Sequence, residues 1–267
     1  MTTINSILTA KGTGLHSGKE CKVTLYPYDK QGIYFKFNEN VYKALAEDVC
    51  DTSRCTMLDL NNNKIQTCEH LLAVIYALNI NGILIETSEK EIPTFDGSGK
   101  YWLELLKDHI VNNKLDGFEI SKPIHVSEDD SFIIAYPSEG FSIEYFLDYN
   151  HPLIGTSRFT FNGSIDNFSK YIAPSRTFAF IEEVEYLKAN NLALGGNEEN
   201  CIVVYKDKLS SQLRHKHEFT THKILDLIGD ISLCGMPLDN IKIIANKSGH
   251  KLNNLFARKL QNLLGGQ

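Results

Sequence analysis

The sequence predicts an α+β fold made of two similar layered sheet-and-helix units. Each half opens with short alternating runs that suit half-buried strands and then passes into an apolar helix. The two halves also echo one another. His70-Leu71-Leu72-Ala73-Val74-Ile75 runs on through Leu78-Asn79 to an apolar stretch at Ile83, and His222-Lys223-Ile224-Leu225-Asp226-Leu227-Ile228 runs on through Leu238-Asp239-Asn240 to Ile241. Such an echo predicts two copies of one unit, packed so that equivalent helices meet. At 267 residues, with 42% hydrophobic and 22% charged, the chain is long enough for two cores and globular in composition.

In chain order, residues 21–26 and 33–37 alternate as strands, and a helix follows from Glu69 to Leu78 with Thr67 as its expected N-cap. A strand runs over 83–86, and the loop 92–99 leads into a second helix, Trp102 to His109. The polar stretch Val111 to Gly117 is the candidate linker, which divides the chain into domains 1–115 and 118–267. Strands are expected again near 120–126, 132–136, 141–147 and 241–245, with a closing helix from Asn253 to Leu264.

Composition narrows the function. No apolar run approaches the roughly 18–20 residues that span a bilayer, and the N-terminus lacks the basic and apolar regions of a signal peptide. The expected location is therefore the cytoplasm. A net charge of −6 argues against nucleic-acid partners. The six cysteines make no CxxC pair and are expected as reduced, half-buried thiols; four intervening residues make Cys50 and Cys55 a poor metal pair.

The chemistry concentrates on the helix around Thr221–Asp230. At about 100° per residue, His222, Asp226 and Asp230 fall within roughly 80° of one another, while Ile224, Leu225, Leu227, Ile228 and Ile231 fill the opposite face. His and Asp at i and i+4 converge as two ligands of one zinc. The third ligand is expected from Glu69-His70, ionisable groups at the start of an otherwise apolar helix, where their burial is costly unless they are paired or ligating. A His70–His222–Asp226 set leaves a position open for water, and Glu69 would take a proton from that water. The order Glu-His does not fit the HExxH metalloprotease helix. His215-Lys216-His217 is a rival metal motif, but its charged surroundings make a solvated surface the better reading. In Lys247-Ser248-Gly249-His250 the glycine permits a turn that aims His250 into a cleft, where Asp230 would hold it protonated. Arg176-Thr177-Phe178 reads most simply as packing around Phe178.

An ordered set of blocks then resembles the UDP-3-O-acyl-N-acetylglucosamine deacetylases. The blocks are Gly12-Thr13-Gly14-Leu15-His16-Ser17-Gly18-Lys19, Thr67 to Leu71, Glu91 to Ser98, Asn150-His151-Pro152, Arg176 to Phe180, Leu194-Gly195-Gly196, His222 to Asp230 and Lys247 to His250. The resemblance implies an active site between the two domains, one zinc per chain (or iron(II)) on His70, His222 and Asp226, and Glu69 as general base. It implies His250 as the acid, oriented by Asp230, and catalytic roles for Thr177 at the amide carbonyl and Lys223 at the developing charge. Leu15, His16, Phe178, Ile181, Val184, Gly196 and Lys247 would bind substrate, with an acyl passage along residues 181–196. The implied reaction removes the N-acetyl group of UDP-3-O-acyl-N-acetylglucosamine, the committed step of lipid A synthesis, in a monomer. Two other readings remain: a zinc amidohydrolase with a different amide, or a non-catalytic nucleotide-sugar and acyl binding module. The latter has no use for an acid and a base flanking the metal.

Overall fold

A computed structural model describes residues 2–111, 117–190 and 192–265. The short strand β1 (Thr3–Ile4) precedes β2 (Leu8–Thr13), β3 (Glu20–Pro27), β4 (Gly32–Phe37) and β5 (Asn40–Lys43). A small three-stranded antiparallel sheet follows: β6 (Val49–Asp51), β7 (Met57–Leu60) and β8 (Asn63–Gln66). Then come α1 (Glu69–Ala77), β9 (Gly82–Thr87), α2 (Lys100–Leu106) and β10 (Ile110–Val111), which pairs back with β1.

The second half repeats this plan. It contains β11 (Ile124–Glu128), β12 (Ser131–Pro137), β13 (Ser142–Tyr149) and β14 (Gly155–Phe161), the short α3 (Ile165–Asn167), and then β15 (Phe178–Phe180), α4 (Ile181–Ala189) and β16 (Ile202–Val204). It closes with α5 (Glu218–Ser232), β17 (Ile241–Asn246) and α6 (His250–Gly265).

The two main sheets have one topology. The first runs β2-β3-β9-β4-β5 and the second β11-β12-β17-β13-β14. In each, the strand after the long helix enters the middle, antiparallel to one neighbour and parallel to the other. Both inserted strands suit that place: Ile83 and Ile85 of β9, and Ile241, Ile243 and Ala245 of β17, alternate into the core. The echo read from the sequence is thus a repeat of fold, and α1 packs against α5 as the equivalent helices. Gly229 permits this crossing, since a Cβ there would lie 2.1 Å from the Glu69 carbonyl oxygen. The buried apolar side chains of both sheets and both helices join in one continuous core.

Several boundaries differ from expectation. The second helix begins at Lys100 and tightens into a 3₁₀ turn over Lys107–His109. The strand expected from Ile120 begins at Ile124, after Pro123, which has no N–H to donate. Of the expected linker, residues 112–116 lie outside the described residues. No helix among the described residues is long and apolar enough to cross a membrane.

Candidate active site

The first turn of α1 and the middle of α5 meet where the two units join. Thr67 does not cap α1: it adopts a left-handed conformation, φ 58°, and its hydroxyl donates to Glu91 Oε1. That reversal drops Glu69 and His70 into the first turn, both buried against α5. On α5, His222 and Asp226 face them. His70 Nε2 and His222 Nε2 each lie 3.4 Å from Asp226 Oδ1, with the imidazoles edge-on at 5.1 Å between ring centres. The three ligand atoms all lie within 4.8 Å of one another.

The donor set suits a cation. His222 Nδ1 lies 3.1 Å from the Ser175 carbonyl, which only accepts, so Nδ1 carries the proton. Burial lowers His222 to about 4, so the ring is neutral and Nε2 presents a lone pair to the Asp226 carboxylate. Burial alone would raise Asp226, but His222, Lys223 and the His70 hydrogen bond hold it well below the usual carboxylate range. Burial would likewise lower His70, yet the hydrogen bond to Asp226 and the charge of Glu69 raise it. A neutral imidazole presenting Nε2, a second imidazole and a carboxylate converge in this buried site, the donor types that a cation takes, and this is a metal-competent triad.

The residues behind the triad explain its placement. Glu218 at the start of α5 is fully buried and binds Arg176 through Nε at 2.8 Å and the backbone N–H at 3.1 Å. This bond fixes the 175–178 segment to α5, bringing the Ser175 carbonyl to His222. Thr177 is held in turn by its N–H to the Gly97 carbonyl and its C=O to the Ile202 N–H. Arg176 is therefore an anchor, and more than packing around Phe178. Gly97 sits at φ +78°, where a Cβ would meet the Asn200 carbonyl oxygen at 1.9 Å.

Two acid–base groups flank the triad. Glu69 is raised by burial, and the Thr56 N–H donates to its Oε2 at 3.2 Å. His250, the first residue of α6, places Nδ1 2.8 Å from Asp230 Oδ2. Burial by itself would lower this imidazole, but Asp230, Asp226 and Glu69 outweigh it and push the ring up to about 9. Lys223 Nζ donates to Asp226 Oδ2 at 2.9 Å, and the carboxylate overcomes burial to keep the ammonium charged.

A cleft of about 300 Å³ opens over these groups. Glu69, His70, Thr177, Phe178, His222, Lys223, Asp226, His250, Leu15 and His16 all line it. Asp230 stands behind His250 and is almost fully buried. Ile181 and Val184 are half-buried on α4 but do not line the cleft as it stands; their immediate neighbours Phe180 and Glu183 do. Gly196 lies beside Leu15, because the Leu194 and Gly195 N–H groups bond the His16 and Leu15 carbonyls. Lys247 is elsewhere: at φ 52° it turns onto Asp130 and Asp148. The cleft also takes in Arg54, Thr94 and Tyr149, which the sequence reading missed. Thr94 and Tyr149 had signals, Thr94 inside the block Glu91 to Ser98 and Tyr149 as the last residue of a strand before Asn150-His151-Pro152; Arg54 had none.

One surface reading needs correction. His215 and His217 sit in a turn before α5, half-buried, and not on a solvated surface. His215 Nε2 lies 3.1 Å from the Tyr171 carbonyl, and burial lowers its pKa. The six cysteines are free, with Cys21, Cys55, Cys68 and Cys234 fully buried and Cys55 lining the cleft.

The family described as UDP-3-O-acyl N-acetylglycosamine deacetylase matches residues 1–262. The UDP-3-O-acyl-N-acetylglucosamine deacetylase of Oleidesulfovibrio alaskensis is 39% identical, covering 97% of this chain and 88% of the relative. The chain belongs to this deacetylase family. The enzymes of the same name from Thermodesulfovibrio yellowstonii and Helicobacter hepaticus are 39% and 35% identical, each over 97% of the chain and 90% and 89% of their own lengths. Segments that are far apart in sequence, such as Leu15-His16, Glu69-His70, Thr177-Phe178, His222 to Asp226 and His250, all converge on the one cleft.

Proposed function

We propose that this chain is a zinc-dependent deacetylase that hydrolyses the N-acetyl group of UDP-3-O-acyl-N-acetylglucosamine, the committed step of lipid A synthesis, in the cytoplasm. The observation that carries this reading is the buried meeting of His70, His222 and Asp226 with Glu69 and His250 at their sides. His70 Nε2, His222 Nε2 and an Asp226 oxygen would hold one zinc, a set that iron(II) also accepts. Bound there, the metal supplies Lewis-acid stabilisation of developing negative charge and acidifies water at the site.

The side chains do the rest. Glu69 accepts a proton from the attacking water. Thr177 donates its hydroxyl toward the carbonyl oxygen as that oxygen gains charge, and Lys223 adds positive charge nearby. His250 has Nδ1 engaged by Asp230, so its Nε2 proton is the one delivered to the departing amine, leaving acetate and a free 2-amino sugar. Leu15, His16 and Phe178 contact the substrate, and the acyl chain leaves the cleft past Leu15 and Gly196 toward α4, the helix that carries Ile181 and Val184; Lys247, held by Asp130 and Asp148, stands outside this contact set. The units 1–115 and 118–267 act as domains of a monomer, each contributing one side of the site.

The test is acetate release from acylated and unacylated UDP-N-acetylglucosamine by metal-stripped and zinc-replete protein. Zinc-restored turnover that favours the acylated substrate by several orders of magnitude is expected. Equal kcat/KM on both substrates would remove the lipid-precursor assignment, and activity undiminished by stripping would remove the zinc.

A further inference from the structure

Thr56 stands between the two acid–base groups, and the chemistry above makes no use of it. It lies just ahead of β7 in the first unit and is fully buried. All three of its polar groups are engaged. The N–H donates to Glu69 Oε2 at 3.2 Å, the hydroxyl donates to Asp230 Oδ1, and the carbonyl accepts from Cys68 Sγ at 3.5 Å. The carboxylate of Asp230 only accepts, so the hydroxyl proton is committed to it. The hydroxyl oxygen also lies 3.4 Å from His250 Nδ1.

Asp230 divides its oxygens between these partners. Oδ2 takes His250 Nδ1 and Asn253 Nδ2 at 2.8 and 2.9 Å, both from α6, whereas Oδ1 takes Thr56 from the other unit. Without the Oδ1 bond the carboxylate would be held through Oδ2 alone and less restrained in rotation about its Cβ–Cγ bond. A buried hydroxyl is costly unless bonded, and valine would fill the same volume without that cost. The hydroxyl therefore needs a reason to be there.

We propose that Thr56 is a positioning residue that locks the rotation of the Asp230 carboxylate, and through it the His250 imidazole, in register with Glu69. Proton acceptor and proton donor, which belong to different units, are thereby held at a fixed separation by one residue that touches both. The proposal rests on the deacetylase reading for its kinetic consequence but not for its geometry.

The experiment compares Thr56→Val and Thr56→Ser in the zinc-loaded protein. Thr56→Val should lower kcat roughly ten- to a hundredfold, with KM and metal content near those of the unmodified enzyme, while Thr56→Ser retains most of the rate. In an Asp230→Asn background, Thr56→Val should add little, because the two residues act as one unit. An independent readout is the downfield proton resonance of the His250 Nδ1–H held by Asp230. It should persist in the unmodified protein and Thr56→Ser and be lost to exchange in Thr56→Val. Unchanged kcat together with a persisting resonance in Thr56→Val would overturn the proposal, as would full additivity with Asp230→Asn. If the unmodified enzyme releases no acetate, the deacetylase reading fails, and the resonance alone still decides the role of Thr56.

Discussion

Replacing Asp230 by Asn should move the alkaline limit of activity toward acid. Burial alone would depress the His250 ring, and Asp230 is the first of the charges that reverse this, carrying the ring from 6.5 to about 9. That rise is worth roughly 3 kcal/mol of preference for the protonated ring at 1.36 kcal/mol per pH unit. Asp226 and Glu69 remain in the variant, so only part of it is lost, and a displacement of at least about one pH unit is expected. The sign follows from the role: the acid is competent while protonated, so activity is present below its pKa and lost as pH rises through it. Lowering the pKa advances that loss to lower pH. A bound cation opposes protonation of the ring in both enzymes alike, so the comparison rests on the displacement between them. The assay is kcat/KM for acetate release between about pH 5 and 10. An alkaline limb at the same pH in both enzymes, or displaced upward in Asp230→Asn, would refute this role for Asp230.

Three further outcomes are expected. His222→Ala should lose most of its zinc by elemental analysis, since a three-ligand site tolerates no missing donor; about one equivalent retained would overturn the ligand set. Gly229→Ala should lower Tm by several degrees, because its Cβ would meet the Glu69 carbonyl at 2.1 Å and overpacking costs about 1–3 kcal/mol; an unchanged Tm would mean that α1 and α5 separate more easily than their packing implies. Leu15→Ala should cut kcat/KM roughly tenfold for a long-chain acylated substrate and spare the unacylated one, and equal losses on both would remove Leu15 from acyl recognition.

The central helices were legible because their constraints are periodic. The face of α5 that carries His222, Asp226 and Asp230 is set by 3.6-residue geometry, and the core residues opposite confirm it as buried. The repeat was legible because the same His-to-strand pattern occurs twice, and it returns as one sheet topology. Thr67 misled because a threonine before an acidic helix start looks like a cap, whereas a left-handed turn onto Glu91 depends on a residue 24 positions away. The small sheet β6-β7-β8 escaped notice because its strands are three or four residues long, and its turn uses Asn61 and Asn62 in left-handed conformations. Arg176 and His215 were misjudged for one reason: Glu218 in one case and Tyr171 in the other bury them through contacts that no local pattern encodes.

The central claim is that a metal triad and a separate proton acceptor share this cleft, and Glu69→Gln tests it in a single sample. Metal content and turnover are measured together on the purified variant. Gln keeps the shape of Glu69 and leaves His70, His222 and Asp226 intact, so about one equivalent of zinc should remain, while the rate of acetate release falls by at least about a hundredfold. Near-normal turnover with zinc in place would contradict the account, because another group would then be activating the water.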